Sequence, residues 1–409
     1  MGNIKKYAPI IHQGIPDFNP ESVSYREFWD EQIERCKHGY KPPGMDFITG
    51  KHYYYLNFYK ILGNSGEKGG RKSLIAPWYR DMDKEYFDTF DTCKDEGKGM
   101  IVIKARDKGF SYMNSGILAQ EYTFYPHNEV GIAAGLQVTA DSFFQKVKKG
   151  LYNQENIFRH SILKDADEVV RSGYKRKNIE GKWEIGGFQS VIHCRTMSNP
   201  EVFKGERLSV MVFEEAGEFK ELLNAYMSSK ACFMDGDVQF GVPVIGGTGG
   251  DIETSSKDFM DMYYNADAFN LIPMFIPATK CYHGFFDTKT GISQEAEAKE
   301  KLVAEREQLK KSDNQKGFNL HIQNYPLTVE EAFLQTKNSR FNVAKLNLQR
   351  SELLSNEELK GQIQHGRLEW DGEGMNVKFV LDKYGPYKIL AHPKTELKGL
   401  DIGGIDSYD

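Results

Sequence analysis

Hydrophobic and polar positions along this chain form two alternating kinds of run. From about residue 100 onward, short apolar runs alternate with longer segments whose apolar residues recur at helical spacing. Strands that alternate with helices predict an α/β fold, in which a parallel sheet is flanked by helices. The expected strands are 100–104, 130–134, 190–194, 208–213, 242–245 and 271–275, and the expected helices include 139–152 and 219–233.

The segments outside this region have patterns of their own. The aromatic stretch HYYYLNFYKI, residues 52–61, predicts a strand packed on the sheet rather than a platform for stacking bases. The glycine-rich segment 63–73 lacks the GK[ST] ending of a phosphate loop and predicts a surface loop. The charged segment 293–311 predicts a mostly solvated helix. After it we expect a helix at 342–360 and a small β-rich connector with strands at 367–370, 377–381 and 387–391.

Composition narrows the class of protein. A chain of 409 residues with 40% hydrophobic and 27% charged residues is typical of a globular protein with one large or two to three ordinary domains. No apolar run approaches the roughly 20 residues of a membrane span. The five cysteines form no CxxC pair, which indicates a reducing cytoplasm rather than a zinc cluster. Because the net charge is −5, any DNA contact must be local. The basic clusters at 146–149 and 171–182 are more typical of solvated surface than of a DNA contact.

The segment MIVIKARDKGFSY, residues 100–112, carries the first candidate chemistry. An apolar strand leads into a basic turn that contains Gly109, and Ser111 opens a helix. In such a unit the loop and the helix N-terminus bind phosphate, a lysine neutralises it and a hydroxyl holds Mg²⁺. The usual lysine position is Phe110 here, so the charge must come from Lys104, Arg106 or Lys108. Taken alone, the segment is equally compatible with a basic turn before a surface helix.

Two further strand ends support the nucleotide interpretation. The run LSVMVF is followed by Glu214 and Glu215, of which the first would bind Mg²⁺ and the second would polarise the attacking water. Glutamates that begin a helix are the alternative. The run VPVIGGTGGD ends with Thr248, a hydroxyl suited to sense the γ-phosphate. We expect strand 130–134 to lie between the phosphate-loop strand and the carboxylate strand, as in NTPases that activate water with a glutamate.

In this order the motifs resemble the large subunit of tailed-phage terminase, the DNA-packaging motor, over about residues 50–340. KARDKGFS is similar to the variant phosphate loop of lambda-type terminases, whose lysine is displaced to the start of the motif. APWYRDMDKEYF resembles the family's adenine-side helix, SNPEVFKGERLSVMVFEEAG its carboxylate strand, and NYPLTVEEAF the signature near the end of the ATPase domain. The resemblance implies a P-loop NTPase fold (RecA-like, ASCE class) with a small lid or linker subdomain.

The resemblance also implies roles for individual residues. Catalytic roles fall on Glu215, on Arg106 as a cis arginine finger and on Thr248, and Ser111 and Glu214 would hold Mg²⁺. The residues expected to bind ATP are Lys104, Ala105, Arg106, Asp107, Lys108, Gly109, Phe110, Ser111 and Tyr79. Glu214 departs from the family's usual Asp, and Tyr79 stands where the family often has Gln. LKGLDIGGIDSYD resembles the first strand of the family's RNase H-like nuclease, with Asp406 in an incomplete metal site, so nuclease activity is not expected from this chain.

The function implied is ATP-driven translocation of double-stranded DNA into a procapsid, in the cytoplasm of an infected bacterium. The implied partners are DNA, a portal protein, a small terminase subunit and further copies of the chain in a ring, with no membrane. The domains expected are a lid or linker at 1–60, an ATPase domain at 61–340, a connector at 341–395 and the start of a nuclease domain at 396–409. The alternatives are a helicase of the same class, and a non-hydrolysing nucleotide-binding subunit.

Overall fold

The computed structural model describes residues 15–64, 72–250, 256–311, 315–333, 364–370 and 377–389. The chain divides into two compact units, Met1–Ser339 and Arg340–Asp409. In the described residues the α-helices are α1 (Val23–His38), α2 (Gly50–Asn57), α3 (Asp81–Asp95), α4 (Phe110–Phe124), α5 (Gln137–Tyr152), α6 (Leu222–Ser229), α7 (Lys257–Tyr264), α8 (Glu295–Lys311), α9 (Gln315–Asn324) and α10 (Val329–Ala332). No described helix is long and apolar enough to cross a membrane.

The strands confirm the α/β architecture. They are β1 (Ile61–Asn64), β2 (Lys72–Ile75), β3 (Gly99–Lys104), β4 (Glu129–Ala134), β5 (Ile162–Asp165), β6 (Val169–Ser172), β7 (Tyr174–Lys177), β8 (Trp183–Gly186), β9 (Val191–Thr196), β10 (Val210–Glu214), β11 (Met234–Asp235), β12 (Val238–Gln239), β13 (Val242–Gly247), β14 (Leu271–Ile276), β15 (Gln364–Trp370), β16 (Val377–Leu381) and β17 (Tyr387–Ile389). All six strands expected in the parallel sheet are present. The short strands β5 to β8 were not anticipated.

The first unit is built on an eight-stranded sheet in the order β14-β3-β13-β10-β4-β9-β6-β5. The strands from β14 to β9 run parallel, and β6 and β5 are antiparallel additions at one edge. One strand does separate the phosphate-loop strand β3 from the carboxylate strand β10, but it is β13. The expectation that strand 130–134 occupies this place was wrong, since β4 pairs with the far side of β10. The sheet is therefore the mostly parallel sheet of an α/β fold.

The apolar runs of the central strands reflect burial on both faces. Every residue of β3 is buried, and alternate side chains enter two separate clusters. Met100 and Val102 belong to the cluster that contains most of α2, α3 and α4, whereas Ile101 and Ile103 belong to the cluster around α6 and α7. Strands covered by helices on both sides therefore lose the polar alternation of a half-exposed sheet.

The aromatic segment near the N-terminus is a helix, contrary to the predicted strand. Residues 50–57 form α2, and the side chain of Thr49 accepts a hydrogen bond from the His52 N–H at its start. All eight residues of α2 are buried, including Tyr53, Tyr54 and Tyr55. A helix that is buried all round shows no apolar stripe, and its tyrosines then suggest a strand by composition alone.

Two other segments of the first unit differ in part from expectation. The segment expected to be a helix at 219–233 holds only the short helix α6, followed by a 3₁₀ turn at Lys230–Phe233. The segment expected to be a loop at 63–73 includes the paired ends of β1 and β2.

In the second unit, β15, β16 and β17 form an antiparallel sheet, which confirms the three strands expected there. The helix expected at 342–360, and Asp406, lie outside the described residues.

Candidate nucleotide-binding site

The loop from β3 to α4 presents a helix N-terminus at the carboxyl edge of the sheet. Gly109 is the N-cap of the 15-residue helix α4 and has a left-handed backbone (φ +79°). The N–H of Tyr112 donates to the carbonyl of Gly109, but no described side chain caps the first turn of this helix, so the N–H groups of Phe110 and Ser111 are available to an anion. A side chain at position 109 would also be obstructed, because a Cβ there would lie 2.8 Å from Nη2 of Arg80. The glycine therefore serves both the turn and the close packing.

Arg80 holds this loop from outside. Its Nη2 donates to the carbonyl of Lys108 at 3.0 Å, and the same guanidinium forms a bidentate pair with buried Asp83, at 2.6 and 2.9 Å. Sequence reasoning missed Arg80 and Asp83, although both lie within the segment that resembles the adenine-side helix. The i,i+3 spacing of an Arg and an Asp at a helix start was the available signal.

Lys104, Glu215 and Thr248 come together at the ends of three neighbouring strands. The Nζ atom of Lys104, at the end of β3, lies 2.9 Å from Oε1 of Glu215, just after β10. The other carboxylate oxygen, Oε2, accepts from the Thr248 N–H at 3.2 Å and lies 3.5 Å from the Thr248 hydroxyl. Glu215 itself has a left-handed backbone (φ 50°, ψ 61°), which turns the chain sharply after the strand. Burial favours the neutral acid, but the Lys104 ammonium, the Thr248 N–H and the Arg106 charge together outweigh it and hold the pKa of Glu215 below its ordinary value.

Glu214 differs from Glu215 in its hydrogen-bond partners and in the direction of its pKa shift. It is 2% exposed, and its Oε1 accepts a short hydrogen bond from the hydroxyl of Ser111. Its Oε2 is buried without a hydrogen-bond partner in the described residues. Burial, followed by the nearby charge of Glu215, raises the pKa of Glu214 to about 7. A hydroxyl and a carboxylate with one unsatisfied oxygen fit the hard oxygen ligands that Mg²⁺ prefers.

Phe110 lies in the core rather than in the loop. Its ring is 2% exposed and packs edge-on against Tyr86, with ring centroids 5.7 Å apart. It also fills the space beside Gly246 on β13, where a Cβ would come within 2.2 Å of the ring. The ammonium of Lys104 lies 5.8 Å from the Phe110 ring centroid. The aromatic residue therefore occupies the space between α4 and the sheet, and the cation stands at the strand end.

The other two basic residues of the loop are placed differently from each other. Nζ of Lys108 is buried and donates to the carbonyls of Ala278 and Lys280, at 2.9 and 2.5 Å. Burial lowers the pKa of Lys108 to about 8. Arg106 lines the cavity, and its side chain makes no hydrogen bond or ion pair with a described residue. Its backbone N–H donates to the carbonyl of Asn324, at the start of the segment NYPLTVEEAF.

A cavity of about 990 Å³ lies over this loop. Its lining includes most of the residues expected to bind ATP, together with Glu215 and Thr248. Ala105 is instead buried in a small apolar cluster with Ala278 and Leu302. Lys146, from the basic cluster 146–149, and Glu218 also line the cavity, and the sequence analysis did not place either of them in this site. The cavity is large enough for a nucleotide and is bordered by both signs of charge.

The Tyr79 side of the cavity is aromatic. Tyr79 is 5% exposed and stacks on the ring of His52, with centroids 5.8 Å apart. His52 in turn stacks on Phe87 at 4.8 Å, and burial lowers the pKa of this histidine to about 3. A neutral imidazole between two aromatic rings keeps Tyr79 in place at the cavity wall.

Comparisons with known proteins return structures only. No protein-family model and no curated protein matches the chain. Among solved structures, the large terminase of a thermophilic bacteriophage is 14% identical over 44% of this chain and 40% of that chain, with a TM-score of 0.32. The ATPase domain of the Thermus phage P74-26 large terminase is 13% identical over 55% of this chain and 86% of that chain, with a TM-score of 0.36. The HK97 bacteriophage large terminase is 11% identical over 50% of this chain and 40% of that chain, with a TM-score of 0.35.

The match thus spans about 40% of the large terminases of the thermophilic bacteriophage and of HK97. Roles proposed for residues of this chain rest on its own geometry and on the sequence motifs.

Proposed function

We propose that this chain binds and hydrolyses ATP to move double-stranded DNA, as the ATPase of a tailed-phage packaging motor. The observation that carries the hydrolase proposal is the junction of three strand ends, where Lys104, Glu215 and Thr248 form one hydrogen-bonded network beside the Ser111–Glu214 pair. The junction borders a cavity of nucleotide size and a helix N-terminus. Phosphoryl transfer needs this combination of phosphate binding, charge neutralisation and an oriented water.

The phosphates would lie against the first turn of α4. Lys104 and Arg106 would supply positive charge, because both line the cavity whereas Nζ of Lys108 is occupied by two carbonyls. Ser111 and Glu214 would hold Mg²⁺, which when bound neutralises charge that develops on the transferred phosphoryl group. Tyr79 would contact the adenine side of the nucleotide, since it lies in the cavity wall.

Glu215 would act as the general base. In the structure it is paired with Lys104, and the low pKa makes it a poor proton acceptor. We infer that Lys104 leaves the carboxylate for an incoming phosphate, which raises the pKa of Glu215 and prepares it to take a proton from water. The water oxygen then attacks the γ-phosphorus, the bond to the β-phosphate oxygen breaks, and ADP leaves with phosphate.

Thr248 would connect hydrolysis to movement. Its N–H and hydroxyl contact the same carboxylate that activates water, so a change at Glu215 alters two contacts of the following loop. That loop packs closely on α10, since a Cβ at Gly249 would lie 1.8 Å from the carbonyl of Ala332. The segment 324–333 therefore touches both the phosphate loop, at Arg106, and the Thr248 loop.

The DNA-packaging part of the proposal rests on the ordered sequence motifs. By that resemblance the chain would work as a ring of identical subunits on a procapsid, with a portal protein and a small terminase subunit, in the host cytoplasm. The alternative of a non-hydrolysing subunit was suggested by Phe110, and the core position of Phe110 beside Gly246 gives that alternative no support.

The decisive experiment compares Glu215→Gln with Glu221→Gln. Glu221 is an exposed glutamate six residues along the chain, whose Oε2 accepts only from the Asn224 side chain among described contacts. Mg²⁺-dependent phosphate release from ATP is measured with and without duplex DNA. Loss of the base should lower turnover by about 10² to 10⁴-fold, and the control should keep the wild-type rate. Normal turnover by Glu215→Gln would exclude the assigned base.

A further inference from the structure

A ribbon formed by β7, β8 and their turn, residues 174–186, carries a surface that the nucleotide site does not use. Its register pairs Tyr174 with Gly186 and Lys177 with Trp183. The ribbon follows β6, whose last pairing joins Arg171 to Val191 at the start of β9. Since β9 is parallel to the central strands, the ribbon begins at the amino edge of the sheet, opposite the nucleotide site.

The two faces of the ribbon have different charge. Side chains alternate between faces along a strand, so Lys175 and Lys177 share one face with their partners Ile185 and Trp183. We name the surface formed by Lys175, Lys177, Trp183 and Ile185 the lysine–tryptophan face. Its two lysines form no ion pair with any described residue, and Nζ of Lys177 lies 5.4 Å from the Trp183 ring centroid. Trp183 is 69% exposed.

The opposite face is neutralised. There Arg176 Nε and Glu184 Oε1 pair at 2.6 Å. The turn is also ordered by its own contacts, because Oδ1 of Asn178 accepts from the N–H groups of Glu180 and Lys182, at 3.0 and 2.9 Å. A preformed ribbon loses little conformational entropy when it binds.

We propose that the lysine–tryptophan face binds the backbone and groove of double-stranded DNA. The ribbon holds four basic and two acidic side chains in a chain whose net charge is −5, so it concentrates positive charge locally. Lys175 and Lys177 are two residues apart, about 7 Å along the strand, and reach the same side. The exposed indole beside them adds apolar contact with sugars and base edges.

Two general observations favour duplex DNA over a protein as the partner of this face. Lysine is depleted in protein–protein interfaces, so two lysines without an ion pair among the described residues favour phosphate over a protein surface. A two-stranded β-ribbon also fits the major groove of B-DNA, which is about 12 Å wide. The choice of a duplex, rather than a single strand, rests in addition on the proposed function.

The test compares the double variant Lys175→Ala/Lys177→Ala with the matched control Lys310→Ala/Lys311→Ala. The control lysines are exposed in the last turn of α8 and form no described ion pair. Binding of the full chain to a fluorescent duplex is measured by anisotropy, without nucleotide, from about 50 to 200 mM salt. Loss of two phosphate contacts should weaken binding about 10-fold at the lower salt and reduce the slope of log Kd against log salt by about two. Trp183→Ala should weaken binding with no change of slope.

The alternatives give different results. Equal affinity in the double variant and its control would overturn the proposal. Tighter binding to a single strand of the same sequence than to the duplex would overturn the choice of occupant. Loss of self-association in sedimentation, with DNA affinity intact, would show that the face contacts another copy of the chain. The binding assay contains no ATP, so a negative DNA-binding result does not contradict the hydrolase proposal. In the same way, a variant or chain without ATPase activity does not prevent interpretation of the DNA-binding result.

Discussion

Two clusters of acidic and basic side chains border the same sheet, and they differ in how completely their charges are paired. One lies beside β4 and β9 and is named here the β4–β9 cluster. In it, Nε2 of His193 is 3.1 Å from a Glu129 carboxylate oxygen and 3.5 Å from a Glu206 oxygen. Arg195 completes the cluster with a contact of 2.6 Å to the other oxygen of Glu206.

The nucleotide-site cluster has the opposite character. Lys104 and Glu215 are paired, but Glu214 keeps a buried oxygen without a described partner and a raised pKa. A buried unsatisfied polar atom lowers the free energy of unfolding, and a cation bound at this oxygen would offset that cost. We infer that the β4–β9 cluster contributes stability, whereas the nucleotide-site cluster gives up stability for function.

Among the tests of this contrast, the largest effect is expected for Lys104→Ala, on activity. Without the ammonium, the site loses phosphate charge neutralisation, so ATP turnover should fall about 10² to 10³-fold and nucleotide affinity should fall as well. Turnover and binding of a fluorescent ATP analogue are measured, with Lys98→Ala as control because Lys98 is half-exposed and paired with Glu96 outside the cavity. Unchanged nucleotide affinity in Lys104→Ala would show that another cation performs this role.

The pH dependence of stability should report Glu214. An acid whose pKa rises from its ordinary value to about 7 on folding binds more protons folded than unfolded, so stability falls as pH rises from about 4.5 to above 7. The free energy of unfolding of the wild type should therefore fall by about 1 to 3 kcal/mol relative to Glu214→Gln between about pH 5 and pH 8. Urea unfolding at several pH values measures the difference. Parallel profiles for the two proteins would contradict the raised pKa.

Sequence patterns predicted the central sheet because its strands carry the strongest signal. Continuous apolar runs located β3, β10 and β13, and the polar residues directly after them gave Lys104, Glu215 and Thr248. The order of strands was harder, since an apolar run specifies burial and not its neighbour. The intervening strand was therefore assigned to 130–134, whereas pairing places β13 there.

Other features depend on contacts that a linear pattern does not encode. The helix α2 has tyrosines on every side because it is enclosed, so tertiary burial overrides the strand preference of those residues. The loop clamp by Arg80 and the orphan oxygen of Glu214 arise from packing between segments distant in sequence. The sequence could not show whether Lys104 or Lys108 is the cation of the phosphate loop. The structure distinguishes them, because Nζ of Lys108 donates to two backbone carbonyls.

A smaller effect is expected for His193→Ala, and it should fall on stability alone. Removal of the imidazole leaves Glu129 and Glu206 facing each other without the donor between them, which should cost about 1 to 2 kcal/mol of unfolding free energy. ATP turnover per folded molecule should stay at the wild-type level. His193→Gln, which keeps a donor, should recover part of the loss. A fall in turnover comparable to that of Lys104→Ala would place the β4–β9 cluster in the catalytic site.

The smallest effect, and the sharpest test of the contrast between the two clusters, is the pH response of Glu129. The hydrogen bond from His193 lowers the pKa of Glu129, so this carboxylate stabilises the fold above its ordinary pKa and the contribution is lost as pH falls through the lowered value. The wild type should exceed Glu129→Gln in unfolding free energy by at most about 1 kcal/mol at neutral pH, and the excess should disappear in acid. Glu201→Gln, at an exposed pair with Lys204, is the control. Because Glu214 destabilises as pH rises and Glu129 stabilises, the two variants should change the pH profile in opposite directions. Profiles that change in the same direction would remove the distinction between a paired and an unpaired cluster.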